Sequence, residues 1–424
     1  MKLRGAMLLG LLALVCVVGL ASVSALVVAL NLRGETTLQE SAKVSTPEQV
    51  AKGAYLALAG NCATCHTARG GAPYAGGRGI ETPFGIVYAG NLTPDAATGL
   101  GDWTAAEFWR ALHHGRSRDG RLLYPAFPYP NYTQVSREDA DALYAYLRTV
   151  PAVASPNKPH ALRFPYNSAA ALAVWRALFF SPGSYAVQAG KSPEWNRGAY
   201  LVTGLGHCAA CHSPRNMFGA TIESLEYEGG LIPAQNWYAP SLGSPEEAGV
   251  ADWPVEQVVA LLKTGRTARG SVLGPMADVV FRSTQFLSDA DLHAMAVFLK
   301  DLPQHRLERT AGQPPKAPPT PHGAKLYEQH CAACHGDQGQ GAAGAYPPLA
   351  GNRAVTMDDA TNLVRIVVSG GFPPATAGNP QPYGMPPFGP HLSDEEIAAV
   401  ITHIRGAWGN RASALSSLGV LRAR

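Results

Sequence analysis

One stretch of the chain is uninterruptedly apolar, and it predicts a membrane helix. No charged residue occurs in the 28 positions from Gly5 to Leu32, and a helix needs roughly 20 residues to cross a bilayer. Lys2 and Arg4 precede the run, which orients the N-terminus toward the cytoplasm. The alternative is a signal peptide cleaved at Val23-Ser24-Ala25. Because the run continues beyond that point, an uncleaved anchor over residues 1–34 is favoured.

Three later segments alternate apolar and polar residues with a helical period, and each follows a serine that can cap a helix. A capping serine with an acidic residue three positions later is a helix-start signature. These serines are Ser136, Ser288 and Ser393, and the predicted helices cover 140–149, 292–302 and 397–408. An earlier helical pattern with small residues precedes each of them, at Gly53-Ala54-Tyr55-Leu56, Gly198-Ala199-Tyr200-Leu201 and Gly323-Ala324-Lys325-Leu326-Tyr327. The small residues allow each early helix to cross its late helix closely.

A further apolar helix is predicted between Ser168 and Phe180, with Trp175 and Phe179 on its face. The favoured role of this helix is packing between domains. Contact with the membrane surface or with a partner subunit is the alternative.

The early helical patterns each lead into Cys-x-x-Cys-His, the attachment signature of c-type haem. Six of the seven cysteines belong to these motifs, as Cys62 and Cys65, Cys208 and Cys211, and Cys331 and Cys334. The adjacent histidines, His66, His212 and His335, are the predicted proximal iron ligands. A zinc knuckle needs four ligands and each motif supplies three at most, while a redox dithiol needs no fixed histidine. The sequence therefore predicts three covalently bound haem c groups.

The repeats predict a mainly α fold in which three class I cytochrome c domains follow the N-terminal membrane helix. The 424 residues are enough for three domains. The predicted boundaries are 46–150 for domain one, 151–189 for a connector, 190–302 for domain two, 303–321 for a Pro-rich linker, 322–408 for domain three and 409–424 for a tail. Covalent haem attachment takes place outside the bacterial inner membrane, so the haem domains are expected to face the periplasm. Charged residues make up 15% with a net charge of +3, too balanced for a nucleic-acid-binding protein.

The sixth iron ligand decides whether a haem carries electrons or binds substrates, because a methionine opposite histidine closes the iron. Met276 and Met385 lie after the second and third motifs and before the closing helix, and are the predicted distal ligands. Met217, Met295 and Met357 are predicted to fill core space. Domain one has no methionine, and its ligand position falls within Tyr124-Pro125-Ala126-Phe127. His113, or else His114, is the predicted distal ligand there; an open iron is the alternative.

The loops of the first two domains resemble the triheme cytochrome c subunits of membrane-bound periplasmic dehydrogenases. The resemblance rests on Thr82-Pro83-Phe84-Gly85, Asn91-Leu92-Thr93-Pro94-Asp95, Thr98-Gly99-Leu100-Gly101, Tyr124-Pro125-Ala126-Phe127-Pro128-Tyr129, Arg197-Gly198-Ala199-Tyr200-Leu201 and Ser213-Pro214-Arg215-Asn216. Many relatives in the alcohol and gluconate branches carry methionine where this chain has Phe127. The family implies a large catalytic partner, which is a quinoprotein, a flavoprotein or a molybdenum hydroxylase. The segments Leu162-Arg163-Phe164-Pro165-Tyr166-Asn167 and Glu194-Trp195-Asn196-Arg197 look most like the molybdenum branch.

Three classes of function follow from these features. The favoured one is an electron-transfer subunit that takes electrons from the dehydrogenase and passes them to ubiquinone or a terminal oxidase. It has no substrate-oxidising site of its own, since the chain shows no dinucleotide fingerprint. A freestanding membrane-anchored carrier is the second class. An enzyme or sensor with an open first haem is the third.

Overall fold

The computed structural model describes residues 2–34, 45–305 and 320–424. These residues form two compact units, and the chain passes between the units more than once. The first unit contains residues 1–53 and 75–185, and the second contains residues 54–74 and 186–424. The predicted Pro-rich linker lies largely outside the described residues.

Helices dominate both units, as the periodicity predicts. In chain order they are α1 (Lys2–Asn31), α2 (Pro47–Ala59), α3 (Cys62–His66), α4 (Ala105–His114), α5 (Tyr129–Tyr132), α6 (Arg137–Leu147), α7 (Ala169–Phe179), α8 (Pro193–Tyr200), α9 (Ala209–His212), α10 (Val255–Thr264), α11 (Gly274–Arg282), α12 (Asp289–Lys300), α13 (Pro321–His330), α14 (Ala332–His335), α15 (Arg353–Thr356), α16 (Thr361–Ser369), α17 (Asp394–Gly406) and α18 (Ser417–Ala423). A π-helical turn, Leu201–Leu205, extends α8, and short 3₁₀ turns occupy Glu223–Leu225 and Thr284–Phe286.

The strands are short and form small antiparallel sheets. They are β1 (Gly79–Thr82), β2 (Gly85–Tyr88), β3 (Ala161–Leu162), β4 (Gly230–Ile232), β5 (Trp237–Ala239), β6 (Arg266–Thr267) and β7 (Gly270–Ser271). In the first unit the sheet order is β1-β2-β3, with Gly79 opposite Tyr88 and Ile86 opposite Ala161. The second unit contains the hairpins β4-β5 and β6-β7.

Three pairs of helices cross at a glycine, as the small residues of the early helical patterns predict. A Cβ on Gly53 of α2 would lie 1.9 Å from the carbonyl oxygen of Ala142 in α6. The corresponding distances are 1.9 Å from Gly198 of α8 to Ala294 of α12, and 2.4 Å from Gly323 of α13 to Ala399 of α17. Each alanine lies six residues after the serine that caps its helix. The same close packing of an early and a late helix therefore recurs along the chain.

The capping serines act as the sequence predicts, and the helices begin earlier than the apolar periodicity suggests. The side chains of Ser136, Ser288 and Ser393 each accept a hydrogen bond from the amide three residues later. The acidic residues that follow them form the first turn, so α6, α12 and α17 begin three residues before the predicted starts. Glu396 also completes a reciprocal capping box with Ser393. Asp291, the corresponding residue in α12, instead accepts hydrogen bonds from Arg197 and Tyr55.

The helix pair α13–α17 carries a well-defined hydrophobic core in the second unit. Its buried residues are Leu326, Tyr327, Leu349, Val355, Val364, Val367, Leu392, Ile397, Ala398, Val400, Ile401, Ile404, Val420 and Ala423. Met385 is half-buried and packs against this cluster. Arg405 is 1% exposed, and its guanidinium donates to the carbonyl groups of Val355 and Met357. Met385 therefore has apolar neighbours on the side that faces this core.

Candidate haem sites

Each Cys-x-x-Cys-His motif folds into one short helical turn, which brings its three functional side chains to one place. The turns are α3, α9 and α14, and Cys208 and Cys331 stand at the N-caps of the last two. None of the six motif cysteines forms a disulfide in the part of the chain that the structure describes. A helical turn places residues three apart on the same face. Two thiols and an imidazole are therefore available to one ligand at each motif.

The thiols lie in surroundings that suit thioether formation better than metal coordination. Burial raises the pKa of Cys62 and of Cys208 to about 12, and that of Cys331 to about 11. Thiolates, the form that binds zinc, are therefore disfavoured at neutral pH. Among residues 2–34, 45–305 and 320–424, no three His, Cys, Asp or Glu side chains lie close enough to hold a metal ion.

Two of the motif histidines are oriented by backbone carbonyls. His212 Nδ1 donates to the carbonyl oxygen of Pro240 at 2.7 Å, and His335 Nδ1 donates to that of Pro347 at 3.0 Å. Burial lowers the pKa of both imidazoles, which favours the neutral form. A bonded Nδ1 fixes the tautomer and leaves Nε2 as the ligand atom. This orientation is the one that the predicted ligation of iron through Nε2 requires.

The carbonyl acceptors were not anticipated from the sequence, although a sequence signal for them exists. Tyr238-Ala239-Pro240-Ser241-Leu242 carries one acceptor, and Tyr88-Ala89-Gly90-Asn91-Leu92 repeats its Tyr-Ala-x-x-Leu pattern exactly 150 residues earlier. Gly90 therefore holds the sequence position of Pro240. Comparing the repeats beyond the Cys-x-x-Cys-His motifs would have identified this position.

The two predicted distal methionines lie in ordered, half-buried positions. Met276 is in the first turn of α11, after Pro275. The backbone of Met385 pairs with that of Gly371, with Met385 N donating at 2.8 Å and Gly371 N donating at 3.0 Å. Both methionine side chains remain partly accessible, as a ligand that must reach a cofactor would be. The ligation of iron by Met276 and Met385 stays a prediction.

The first unit carries phenylalanine where the second carries Met276. A hairpin after α4 closes with Leu123 N donating to Gly115 O at 2.8 Å, and a hairpin after α10 closes with Val272 N donating to Gly265 O at 2.8 Å. Phe127 and Met276 each lie four residues beyond these donors. The ring of Phe127 packs against that of Tyr132, with centroids 5.4 Å apart. Phe127 thus occupies the methionine position, and its hydrocarbon ring has no ligand atom.

His113 and His114 are both buried at the C-terminal end of α4. The ring of His113 stacks on Trp109 with centroids 4.5 Å apart, and its Nδ1 lies 3.5 Å from Thr133 Oγ1. Burial lowers the pKa of His113, and it lowers that of His114 to about 4 together with the nearby charges of His113 and Arg176. His114 Nε2 is buried and has no hydrogen-bond partner among the described residues. Burial thus favours the neutral form of both imidazoles, which is the form that binds iron.

Several buried polar atoms of the second unit lack partners, as expected where a polar-edged cofactor fits. The Tyr227 hydroxyl, Trp253 Nε1 and Gln257 Oε1 are buried without a hydrogen bond among the described residues. Burial raises the pKa of Tyr227, and the neighbouring Glu226 and Cys208 add to the effect. Buried polar groups are rarely left unpaired in proteins. Tyr227 lies close enough to Cys208 to feel its charge, so its hydroxyl is the unpaired atom that fits a covalently held haem beside α9.

The first two attachment segments are neighbours in the second unit. Burial raises the pKa of Cys211; Arg215 opposes this effect, and the nearby Cys65 thiol adds to it. Tyr55 of α2 donates a 2.6 Å hydrogen bond to Asp291 at the start of α12. A Cβ on Gly60 would lie 3.4 Å from Leu205 Cδ2. The chain around Cys62–His66 therefore packs directly on the elements that carry the second motif.

The elements around the second and third motifs are joined by paired polar contacts. Asn362 accepts from Tyr238 N at 2.9 Å and donates to Tyr238 O at 2.7 Å, as a neighbouring strand would. Arg353 forms a two-oxygen contact with Asp252, at 2.8 and 3.0 Å. Arg266 donates to Gly344 O at 2.7 Å. Tyr238 lies two residues before Pro240, so one of these contacts holds the strand that orients His212.

The predicted packing roles of the other methionines are confirmed for two of three. Met295 and Met357 are buried, at 4% and 5% exposure. The prediction for Met217 is wrong, because its side chain is 81% exposed. Met217 lies in a tight turn that begins at Asn216. The side-chain oxygen of Asn216 accepts hydrogen bonds from Phe218 N and Ala220 N, and this turn directs the Met217 side chain outward.

One helix among the described residues is long and apolar enough to cross a membrane. It is the span Gly10–Asn31 within α1, 22 residues with a mean hydropathy of 2.8. The side chains of this helix are exposed except near its end, where Val27, Leu30 and Asn31 are half-buried.

Comparison with known proteins identifies the family of the chain. Residues 50–151 and 321–408 match the cytochrome c family. The cytochrome c subunit of alcohol dehydrogenase (quinone) from Gluconacetobacter polyoxogenes is 40% identical over 398 residues, covering 88% of this chain and 84% of that protein. The gluconate 2-dehydrogenase cytochrome c subunit of Pantoea cypripedii is 39% identical, with 86% and 87% covered. The fructose dehydrogenase cytochrome subunit of Gluconobacter japonicus is 34% identical, with 93% and 86% covered.

The attachment turns, the oriented imidazoles and the family match together define a c-type cytochrome, which binds haem c covalently and transfers electrons. Within that class, the chain belongs to the family of cytochrome c subunits of alcohol, gluconate and fructose dehydrogenases.

Proposed function

We propose that this chain takes electrons from a large dehydrogenase subunit at the periplasmic side of the inner membrane and passes them to ubiquinone. The observation that carries the proposal is the combination of Cys-x-x-Cys-His turns with an apolar helix of membrane-spanning length. High-coverage similarity to dehydrogenase cytochrome subunits supports it. Haem supplies one-electron redox chemistry that no side chain of this protein offers.

The proposed arrangement is three cytochrome c domains, at 46–150, 190–302 and 322–408, each holding one haem c. The three glycine crossings support this count, because each domain contains one early helix, one attachment turn and one late helix. The proposed proximal ligands are His66, His212 and His335. The distal ligands are Met276, Met385 and, at the first site, His113 with His114 as the alternative.

The chain's own residues orient and close these sites. Pro240 and Pro347 hold the two proximal imidazoles through their carbonyl oxygens. A methionine opposite histidine raises the reduction potential and excludes outside ligands, whereas a second histidine gives a lower potential. We therefore expect electrons to rest mainly on the second and third sites. The adjacency of Cys65 and Cys211 supports direct electron transfer between the first two sites.

The quinone end of the path is proposed to lie near the haem-side end of α1. The side chains of Asn31, Arg33, His114 and Arg176 come together there. The Arg33 guanidinium is a hydrogen-bond donor that suits a quinone carbonyl. His114 lies on α4, the helix that also carries His113. Ubiquinone is therefore proposed as the acceptor, with a terminal oxidase as the alternative.

The partner is proposed to be a dehydrogenase subunit carrying molybdopterin, a quinone cofactor or flavin. The segment 162–167 favours the molybdenum branch, whereas identities of 40%, 39% and 34% do not separate the alcohol, gluconate and fructose relatives strongly. Gentle-detergent purification of the tagged chain from its native membrane, with cofactor and metal analysis, tests this. A large cofactor-bearing partner supports the proposal and identifies the substrate class. A cytochrome that purifies alone favours the freestanding carrier.

A further inference from the structure

Helix α7 combines an apolar surface with a single, inward-facing charge. Arg176 is the only charged residue between Ser168 and Pro182, and it is 2% exposed. On the other side of the helix, Val174 is 45% exposed and Leu178 is 67% exposed. Residues four apart lie on one helical face, so Val174 and Leu178 form a continuous apolar strip. A helix that faces water normally carries charged residues on that side.

The buried guanidinium fixes α7 to the end of α1 and to α4. Arg176 donates through Nε to Asn31 Oδ1 at 3.0 Å and through a terminal nitrogen to His114 O at 2.7 Å. The central carbon of the Arg176 guanidinium, Cζ, also lies 5.0 Å from the centroid of the Tyr129 ring. The only charged side chain of α7 therefore makes internal contacts and does not face solvent. The outer strip of Val174 and Leu178 carries no charge.

The contacts between α1 and α7 lie in the last turn of α1 and just beyond it. Asn31 Nδ2 donates to Ala173 O at 2.9 Å, and Arg33 donates to Ser181 Oγ at 3.0 Å. The side chains of residues 10–26 in α1 are exposed, as lipid-facing residues are. Asn31 and Arg33 begin the polar sequence at its end. Helix α7 therefore lies where a membrane-crossing α1 leaves the bilayer.

We infer that α7 is a second membrane element, which lies in the lipid interface with Val174 and Leu178 toward the acyl chains. Continuity with α1 identifies lipid as the occupant of this face, because both surfaces meet at Asn31 and neither presents an exposed charge. Apolar helices lie in this way at the boundary between head groups and acyl chains. The Asn31–Arg176 contact then fixes the height of the first unit above the bilayer. The inference rests on the proposed membrane crossing of α1.

The test measures which solvent surrounds a probe on this face in the haem-loaded, full-length protein. In a Cys16→Ser background, Leu178→Cys and, separately, Val174→Cys are labelled with an environment-sensitive NBD fluorophore and reconstituted into phosphatidylcholine vesicles. Quenching is compared between a lipid nitroxide placed near the head-group end of the acyl chain and aqueous iodide. Leu20→Cys in α1 is the lipid-facing control, and Leu231→Cys, 54% exposed in the second unit, is the control on a surface that the inference does not assign to lipid.

We expect the lipid nitroxide to quench the labels at positions 174 and 178 at least about twofold more than iodide does, as a shallow interfacial helix requires. Position 231 should show no lipid quenching. Quenching of positions 174 and 178 by iodide alone would place this face in water and overturn the inference. Quenching by neither agent would show that protein covers the face, which also overturns it. A lack of lipid quenching at position 20 would remove the anchor itself, so failure of α1 and failure of α7 are distinguished.

Discussion

A Cβ atom placed on Gly198 would lie 1.9 Å from the carbonyl oxygen of Ala294, which is closer than any side-chain carbon can approach. Helices α8 and α12 therefore contact each other backbone to backbone. The pairs Gly53–Ala142 and Gly323–Ala399 repeat the contact. Because the attachment turn follows the early helix directly, this crossing sets where the cysteines and the proximal histidine stand relative to the late helix.

Replacing Gly198 with alanine should destabilise the second unit. The added methyl group must separate α8 from α12, and overpacking of this kind costs about 1–3 kcal/mol or more. Thermal unfolding followed by absorbance of the haem band measures the effect. Gly190→Ala is the matched control, since nothing lies within 4 Å of its Cβ position. Equal melting temperatures for the two variants would contradict the close crossing.

Asp291→Asn should lower stability at pH 7 by about 1.5–3 kcal/mol, because it weakens charged hydrogen bonds. Burial raises the pKa of this carboxyl, but hydrogen bonds from Arg197 and Tyr55 outweigh burial and leave the pKa below its ordinary value of 3.8. A carboxyl with a lowered pKa stabilises the fold above its unfolded pKa and loses that effect as the pH falls below it. The difference between wild type and variant should therefore shrink below about pH 4.

Asp289→Asn is the control for this prediction, because Asp289 lies in the same first turn of α12. Its side chain is 87% exposed and pairs with Lys263 at 3.2 Å. An exposed pair contributes about 0–1 kcal/mol. Urea unfolding at several pH values compares the two variants. If both lose the same stability, the effect belongs to the helix terminus and not to the Arg197–Asp291 contact.

Removing a distal methionine should open one haem to carbon monoxide. The reduced Met276→Ala and Met385→Ala variants should each bind about one equivalent of carbon monoxide, because the thioether no longer blocks one iron. The reduction potential of that haem should also fall, because the thioether raises it. Difference spectroscopy and redox titration measure the two effects. Met295→Ala and Met357→Ala remove buried methionines of the core and should leave the iron closed. Carbon monoxide binding by the unaltered protein at all three haems would contradict the proposed ligands.

Substitutions of the paired histidines should identify the ligand of the first haem. His113→Ala should open one haem to carbon monoxide, while His113→Met should keep it closed and raise its potential. His114→Ala is the paired comparison, since both imidazoles are buried on α4. Binding only in His114→Ala would transfer the role to His114. Unchanged spectra in both alanine variants would mean that the iron has another ligand.

The first haem should have the lowest potential of the three if His113 binds it, since a second imidazole stabilises oxidised iron relative to a thioether. A redox titration of the purified protein, resolved by the spectra of the variants above, assigns each potential. A first haem with the highest potential would contradict bis-histidine ligation.

The cofactor chemistry and the local structure of this protein can be read from short stretches of its sequence. Cys-x-x-Cys-His is a covalent signature, the uncharged run to Leu32 has the length of a bilayer, and serine capping fixes the starts of α6, α12 and α17. Each of these features depends on residues close together in the chain. Glycine at positions 53, 198 and 323 also predicts that a second helix can cross closely there. It does not predict that the crossing residues are Ala142, Ala294 and Ala399.

Only the tertiary structure decided which distant residues meet. The carbonyl of Pro240 at His212, the pairing of Asn362 with Tyr238 and the inward turn of Arg176 join residues 28, 124 and up to 145 positions apart. The same limit explains the error at Met217, whose apolar side chain suggested packing although a local turn directs it into solvent. Residue type sets what a side chain can do, but long-range packing sets whether it is buried and which group it contacts.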